Sequence, residues 1–270
     1  MESMTIRTRA ALAAALTLFA ARPAAAQTDY YNTDPGRPVR IEDASPVERH
    51  AFELQLAPVR LEREGGGTYH WEVAPELAYG ILPRTQVEVA FPLALADGGD
   101  DGSTRGLAGI ELAALYNLNV ETRTLPALAV VAEVLLPVGA LAPDEAYTSL
   151  KGIATRTFAG ARVHLNGQFT LGPDTDGPVG DASRWMAGVA VDRTFPLRSL
   201  LLIGDVYAEQ PLDDGAALGW TAEAGVRYQT SPQFNIDFGG GRRFAGDEQG
   251  WFLTFGAAHA FAVRNLLPIR

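Results

Sequence analysis

Thr85-Gln86-Val87-Glu88-Val89-Ala90-Phe91-Pro92-Leu93-Ala94-Leu95-Ala96 carries the fold of this chain in its spacing. Val87, Val89, Phe91, Leu93 and Leu95 are apolar, and Gln86 and Glu88 stand between them. Side chains alternate faces along a β-strand, so this stretch has one oily face and one wet one. Trp220–Tyr228 repeats the pattern: Trp220, Ala222, Ala224, Val226 and Tyr228 are set against Thr221, Glu223 and Arg227. Between His50 and Phe261 about a dozen such segments follow one another, separated by alternately short and long turns. The spacing predicts an all-β fold, a transmembrane antiparallel up-and-down β-barrel with its apolar face on lipid and its polar face lining a lumen.

Working outward, twelve segments are expected: Ala51–Glu62, Tyr69–Ile81, Thr85–Ala96, Gly106–Val120, Pro126–Pro137, Ser149–Phe158, Ala161–Leu171, Arg184–Phe195, Ser199–Gln210, Leu218–Gln229, Gln233–Arg243 and Trp251–Phe261. An even count returns the last strand to the side on which the first began. A periplasmic start puts the short turns, such as Pro83–Arg84, Ala159–Gly160 and Ser231–Pro232, in the periplasm and the longer loops outside. The external loops are acidic, with Asp97, Asp100, Asp101, Asp144, Glu145, Asp174, Asp176, Asp181, Asp213, Asp214, Asp247 and Glu248. Acidic loops are in the first instance soluble loops; they could also hold divalent cations or draw cationic solutes to the mouth. In hydrocarbon no water serves the backbone, so the sheet must close on itself. Strands of this length, at ~3.4 Å per residue and tilted by ~40°, cross roughly the 25 Å apolar band of an outer membrane.

Met1–Ala26 reads as an export signal: Arg7 and Arg9 form a positive n-region, Ala10–Ala20 is a short apolar run, and Ala24-Ala25-Ala26 fits a cleavage site. The competing reading, a membrane-anchoring helix, needs roughly 20 apolar residues. Cleavage leaves 244 residues with 19 basic and 31 acidic side chains, a net charge of −12. That balance argues against nucleic acid as a partner. The chain has no cysteine, hence no disulfide and no thiolate zinc site. Gln27–Arg49 is polar, rich in Pro, Asp and Arg, and aperiodic; it is expected to be an extended periplasmic arm or a plug lying in the barrel. Residues 50–263 would form the barrel and 264–270 a C-terminal tail.

By parity the lumen is lined by Glu72, Glu76, Glu88, Glu111, Glu133, Arg162, His164, Asn166, Asp192, Asp205, Glu223, Arg227 and Asp237. Buried carboxylates cost several kcal/mol unless hydrated or paired. Either water fills this acidic lumen, or an Arg–carboxylate network closes it. Measured from the Ser231–Pro232 turn, Arg227 should face Asn235 with Asp237 diagonal to it, so an ion pair is expected there. Aromatic girdles are expected from Trp185, Trp220 and Trp251 beside the external loops, and from Tyr79, Phe195, Tyr228 and Phe261 toward the periplasm.

Catalysis finds little support. His164 and Asn166 share a face, and an outer-membrane lipase could use Ser, His and Asn, but such a site must meet lipid and these two fall in the inward register. No cluster has metal-ligand spacing, and no cofactor is implied. Gly239-Gly240-Gly241 lies within a strand, where glycine permits curvature or close approach of another backbone.

Pro75-Glu76-Leu77-Ala78-Tyr79-Gly80, followed by a tight turn and Val87–Pro92, resembles the opening of a family of outer-membrane proteins named after the meta-pathway of phenol degradation and labelled as transporters. His164-Leu165-Asn166 and the closing hairpin around Phe234–Phe261 are similar too. The resemblance implies a channel-like barrel passing small hydrophobic or aromatic compounds, and no catalytic residues. Such barrels often end on a Phe that the assembly machinery reads, whereas here Phe261 is followed by Ala262–Arg270. The expectation is therefore a monomeric outer-membrane channel or transporter for small solutes with a hydrated acidic lumen. Its surroundings would be outer-membrane lipid and lipopolysaccharide, and it would be inserted by the barrel-assembly machinery. The alternatives are a closed structural or adhesive barrel binding a partner or divalent cations, and an outer-membrane hydrolase.

Overall fold

The computed structural model describes residues 32–56, 59–64, 69–97, 103–172, 183–213, 215–246 and 249–263. The expected signal 1–26, the tail 264–270 and many of the loop acids (Asp100, Asp101, Asp174, Asp176, Asp181, Asp214, Asp247 and Glu248) lie outside the described residues. The chain forms a closed antiparallel barrel of twelve strands, the first four each in two segments. These are β1 (Ala51–Gln55 and Val59–Glu64), β2 (Tyr69–Val73 and Glu76–Leu82), β3 (Thr85–Ala90 and Leu93–Asp97) and β4 (Ser103–Leu107 and Ile110–Asn119). There follow β5 (Ala127–Leu136), β6 (Tyr147–Phe158), β7 (Ala161–Leu171), β8 (Arg184–Thr194), β9 (Leu200–Pro211), β10 (Gly219–Ser231), β11 (Phe234–Ala245) and β12 (Gly250–Ala262). Each strand pairs with its neighbours in sequence, and β12 closes onto both segments of β1.

Alternation sorts the two faces as the period of two requires. Along β7, Leu165, Phe169 and Leu171 are exposed outward while His164, Asn166, Gln168 and Thr170 are buried inward. A water-facing protein rarely presents so continuous an apolar face. At the short-turn end the closure is marked by stacked rings: Phe52 of β1 lies 4.3 Å from Tyr79 of β2 and 5.4 Å from Phe261 of β12, centroid to centroid. Trp185, Trp220 and Trp251 are each the second residue of their strand at the long-loop end. Phe195 and Tyr228 are exposed near the turns, whereas Tyr79 and Phe261 are half-covered by the stack.

The expected unbroken segments Tyr69–Ile81, Thr85–Ala96 and Gly106–Val120 are in fact interrupted, at Ala74–Pro75, Phe91–Pro92 and Ala108–Gly109. Proline has no N–H to give the ladder, so each proline removes a bond that alternation alone would have assigned. Across this seam the Phe91 N–H donates to the Pro75 carbonyl at 3.0 Å and the Ala108 N–H to the Pro92 carbonyl at 2.8 Å. β4 also carries one extra residue there: Ala94 faces Gly106 and Ala90 faces Glu111, a β-bulge at Gly109. β1 gains one in the same way, since Gln55 faces Glu76 and Arg60 faces Glu72. The extra residue flips the inward parity of β1 and β4 across the seam, from Glu53 and Gln55 to Arg60 and Glu62 and from Glu111 to Gly106, while β2 and β3 keep theirs.

Candidate functional site

The lumen half nearest the short turns is filled by the chain's own segment 33–47. An extended segment inside a barrel has no partner strand, and its backbone groups need substitutes. The inward side chains supply them. The N–H groups of Arg40 and Ile41 donate to Glu223 and Asp205, the latter at 3.0 Å. Asn166 accepts the Glu42 N–H at 3.1 Å and donates to the Glu42 carbonyl at 2.9 Å, as a neighbouring strand would. Thr155 accepts the Ala44 N–H at 3.1 Å, Asn117 donates to the Ala44 carbonyl at 2.7 Å, and Gln86 accepts the Val47 N–H. Thr254 of β12 reaches the Pro38 carbonyl at 3.0 Å.

Charge and shape reinforce this docking. Arg37, fully buried, meets Asp237 at 2.7 Å, Asp34 at 3.3 Å and Glu53 at 3.6 Å, and donates to Asn235 at 2.8 Å. Glu42 pairs with Lys151 of β6, and Asp43 with Arg162 of β7 at 3.0 Å. Ile41 packs among Met186, Ala190 and Tyr207, and Ala44 against Leu115, Val131 and Ile153. Glycines make the room: a Cβ at Gly225 would stand 2.6 Å from the Pro38 ring, and one at Gly239 would stand 2.8 Å from the Pro38 carbonyl oxygen. Gly239 thus has the close backbone approach expected of it.

Of the residues placed in the lumen by parity, His164, Asn166, Asp192, Asp205, Glu223, Arg227 and Asp237 are buried beneath or against the arm. Arg162 joins them half-buried, bidentate on Asp192 at 3.0 and 2.6 Å. Glu72, Glu76, Glu88, Glu111 and Glu133 face inward on β2 to β5 and stay half-exposed. The Arg227 register is corrected: it lies opposite Asp237, not Asn235, because the turn is Pro232–Gln233, with Ser231 opposite Phe234 and Gln229 opposite Asn235. The ion pair expected there forms. Arg37, Glu42 and Asp43 escaped the sequence reading, since an aperiodic segment gives no parity. Gln86, Asn117 and Thr155 carried the inward signal but no charge to mark them.

His164 accepts or donates at Nδ1 with Thr155 Oγ1 (3.0 Å) and at Nε2 with Asp192 (3.0 Å). This connectivity is that of a nucleophile, a base and an orienting acid. Here Thr155 Oγ1 is engaged by the Ala44 N–H and His164 has no solvent exposure, so the chain of bonds serves to hold the arm. Among the described residues no group of three or more His, Asp or Glu is placed to hold a metal ion.

The long-loop half of the interior is different. Arg60 bonds Glu62 at 3.1 Å and lies 3.6 Å over the Phe252 ring, and Arg243 meets Glu62 at 3.4 Å. The glutamates of β2 to β5 stand on the neighbouring part of the wall. On the outer, lipid-facing side of that same part of the barrel, beside Ala74–Pro75 and Phe91–Pro92, is an open apolar hollow of about 340 Å³ lined by the exposed Trp71, Leu93 and Leu95 with Val73 and Ala94.

No family model and no curated protein matches this sequence. Among solved structures, the fold is similar to the COG4313 outer membrane channel from Pseudomonas putida F1, with TM-score 0.58 and 15% identity over 85% of this chain and 100% of that one. It is also similar to the NanC porin (TM-score 0.56, 6% identity, 76% of this chain and 98% of that one). The KdgM porin aligns with TM-score 0.51 and 10% identity, over 78% of this chain and 99% of that one. At such identities what is shared is the architecture, that of outer-membrane barrels.

Proposed function

We propose that this chain is an outer-membrane channel for small hydrophobic or aromatic solutes, which enter from the long-loop end and leave sideways through the wall into lipid. The carrying observation is a juxtaposition. The arm fills the lumen on the short-turn side, and the interrupted ladder of β2 to β4 with its apolar hollow lies on the open side of that obstruction. An apolar solute stopped by a buried, charged arm would leave between strands from whose ladders Pro75 and Pro92 each remove one hydrogen bond. The outward band of Leu, Val and Phe supports residence in lipid, with lipopolysaccharide outside and insertion by the barrel-assembly machinery. The resemblance to the phenol meta-pathway family supports this class of cargo, and neighbours described as channels and porins support the channel role.

The test is uptake of N-phenyl-1-naphthylamine, which fluoresces on reaching lipid, by intact Gram-negative cells with and without the protein. The protein is expected to speed the rise several-fold. Pro75→Val with Pro92→Val, which returns N–H donors to the ladder, is expected to abolish the gain. Unchanged uptake in that double variant would sink the sideways route. The same buried arm favours a second reading, a closed barrel whose loops bind a partner; it would be preferred if neither uptake nor ion conductance exceeded that of protein-free membranes.

A further inference from the structure

β5 ends at Leu136, opposite Ile110, while β4 resumes beyond that level as Ser103–Leu107. The edge of this upper segment is met by the loop 137–146 instead of a strand. The Leu141 N–H donates to the Leu107 carbonyl at 3.0 Å. Gly139 permits the approach, with φ of 136° and a Cβ position only 2.1 Å from the Leu107 oxygen. The loop then folds over the inner face of the wall: a Cβ at Gly106, an inward position, would lie 3.1 Å from that of Ala140. Leu141 is buried there against Ala94 and Ala108. Ala94 also lines the apolar hollow. At the level of the seam, β3 thus has the hollow against its outward Leu93 and Leu95 and Leu141 against its inward Ala94.

We propose that Leu141 is the stopper of the sideways exit and that its bulk sets the size of apolar cargo admitted. This rests on the channel reading above and adds the residue that governs it. With alanine on the wall at both contact points, Leu141 is the large apolar group packed against the inner side of the seam. The loop carrying it is tied to β4 by the bond to Leu107, not by a ladder, so it can move without unpairing a strand.

The chain has no cysteine, so Gly106→Cys with Ala140→Cys creates a single thiol pair whose Cβ atoms, 3.1 Å apart, need to part by only about 0.4 Å to reach disulfide spacing. In intact cells expressing this variant, N-phenyl-1-naphthylamine uptake is expected to be at least tenfold slower oxidised than after reduction with dithiothreitol. The comparison is made within one folded protein, with bond formation checked by maleimide labelling. Leu141→Ala, verified as folded by heat-modifiable migration, is expected to raise the rate at least threefold. Equal rates oxidised and reduced would overturn the stopper. In that event the Pro75→Val, Pro92→Val variant separates the two ideas: slowed uptake keeps the sideways exit without this stopper, and unslowed uptake removes the exit as well.

Discussion

Arg227 on β10 lies directly opposite Asp237 on β11, and Asp237 is shared: Arg227 donates to one carboxylate oxygen and the arm's Arg37 takes the other at 2.7 Å. One wall carboxylate therefore bridges a wall cation and an arm cation, all three buried. Removing a single member of a buried charge cluster leaves the others uncompensated. Asp237→Asn would set two guanidinium groups side by side without their shared anion. It is expected to destabilise the arm-docked barrel by about 3–5 kcal/mol. Urea unfolding in detergent, followed by tryptophan fluorescence, checks this; an unchanged midpoint would mean that the cluster contributes nothing net.

The glycine seats give a way to dislodge the arm without touching charge. Gly225→Val places atoms where the Pro38 ring lies 2.6 Å from a Cβ, on a strand that favours β-branched residues. The arm is expected to leave its seat while the barrel stays closed. Planar-bilayer recordings should then show larger conductance than the parent chain, with heat-modifiable migration on gels retained. Parent-like conductance in a folded Gly225→Val barrel would show that the arm does not limit ion flow.

Glu111 and Glu133 face inward on adjacent strands in the half the arm leaves open. Their charge should favour cations along that wall. Glu111→Gln with Glu133→Gln is expected to reduce cation selectivity, read as a smaller reversal potential under a salt gradient. An unmoved reversal potential would take these residues out of the conduction path.

Phe52 stacks on both Tyr79 and Phe261, bridging the first strand to the last. Each aromatic pair is worth about 0.5–1.5 kcal/mol beyond its area. Phe52→Ala is expected to lower stability by about 1–3 kcal/mol for the two pairs together, with uptake and conductance unchanged. Urea denaturation of the barrel in lipid vesicles reads the first, and a stability equal to the parent would show that closure does not depend on the stack.

Legibility varied along the chain for physical reasons. Thr85–Ala96 and Trp220–Tyr228 announced their faces because each meets lipid on one side and polar groups on the other. β5 and β6 alternate poorly because Ala129, Val131 and Ile153 face inward yet are apolar, packing against Ala44 of the arm. On the outer side of β6 and β7 the paired Gly152 and Gly167 occupy lipid-facing positions without an apolar side chain, which weakens the alternation there. Pro75 and Pro92 were visible as residues, but parity runs straight through them, so their effect on the ladder was not.

What the sequence determined by itself was the architecture: a period of two in an even number of segments, which water-free surroundings force into a closed barrel, together with the polar residues that face inward. Only the tertiary structure decided what that interior does. Which carboxylate meets which cation, and that an aperiodic arm bonds Asp205, Glu223 and Asp237, depends on contacts between residues as far apart as Arg37 and Asp237. The packing of Leu141 against Ala94 at the seam is of the same kind. Local spacing encodes the direction a side chain points; closure of the barrel fixes what it meets there.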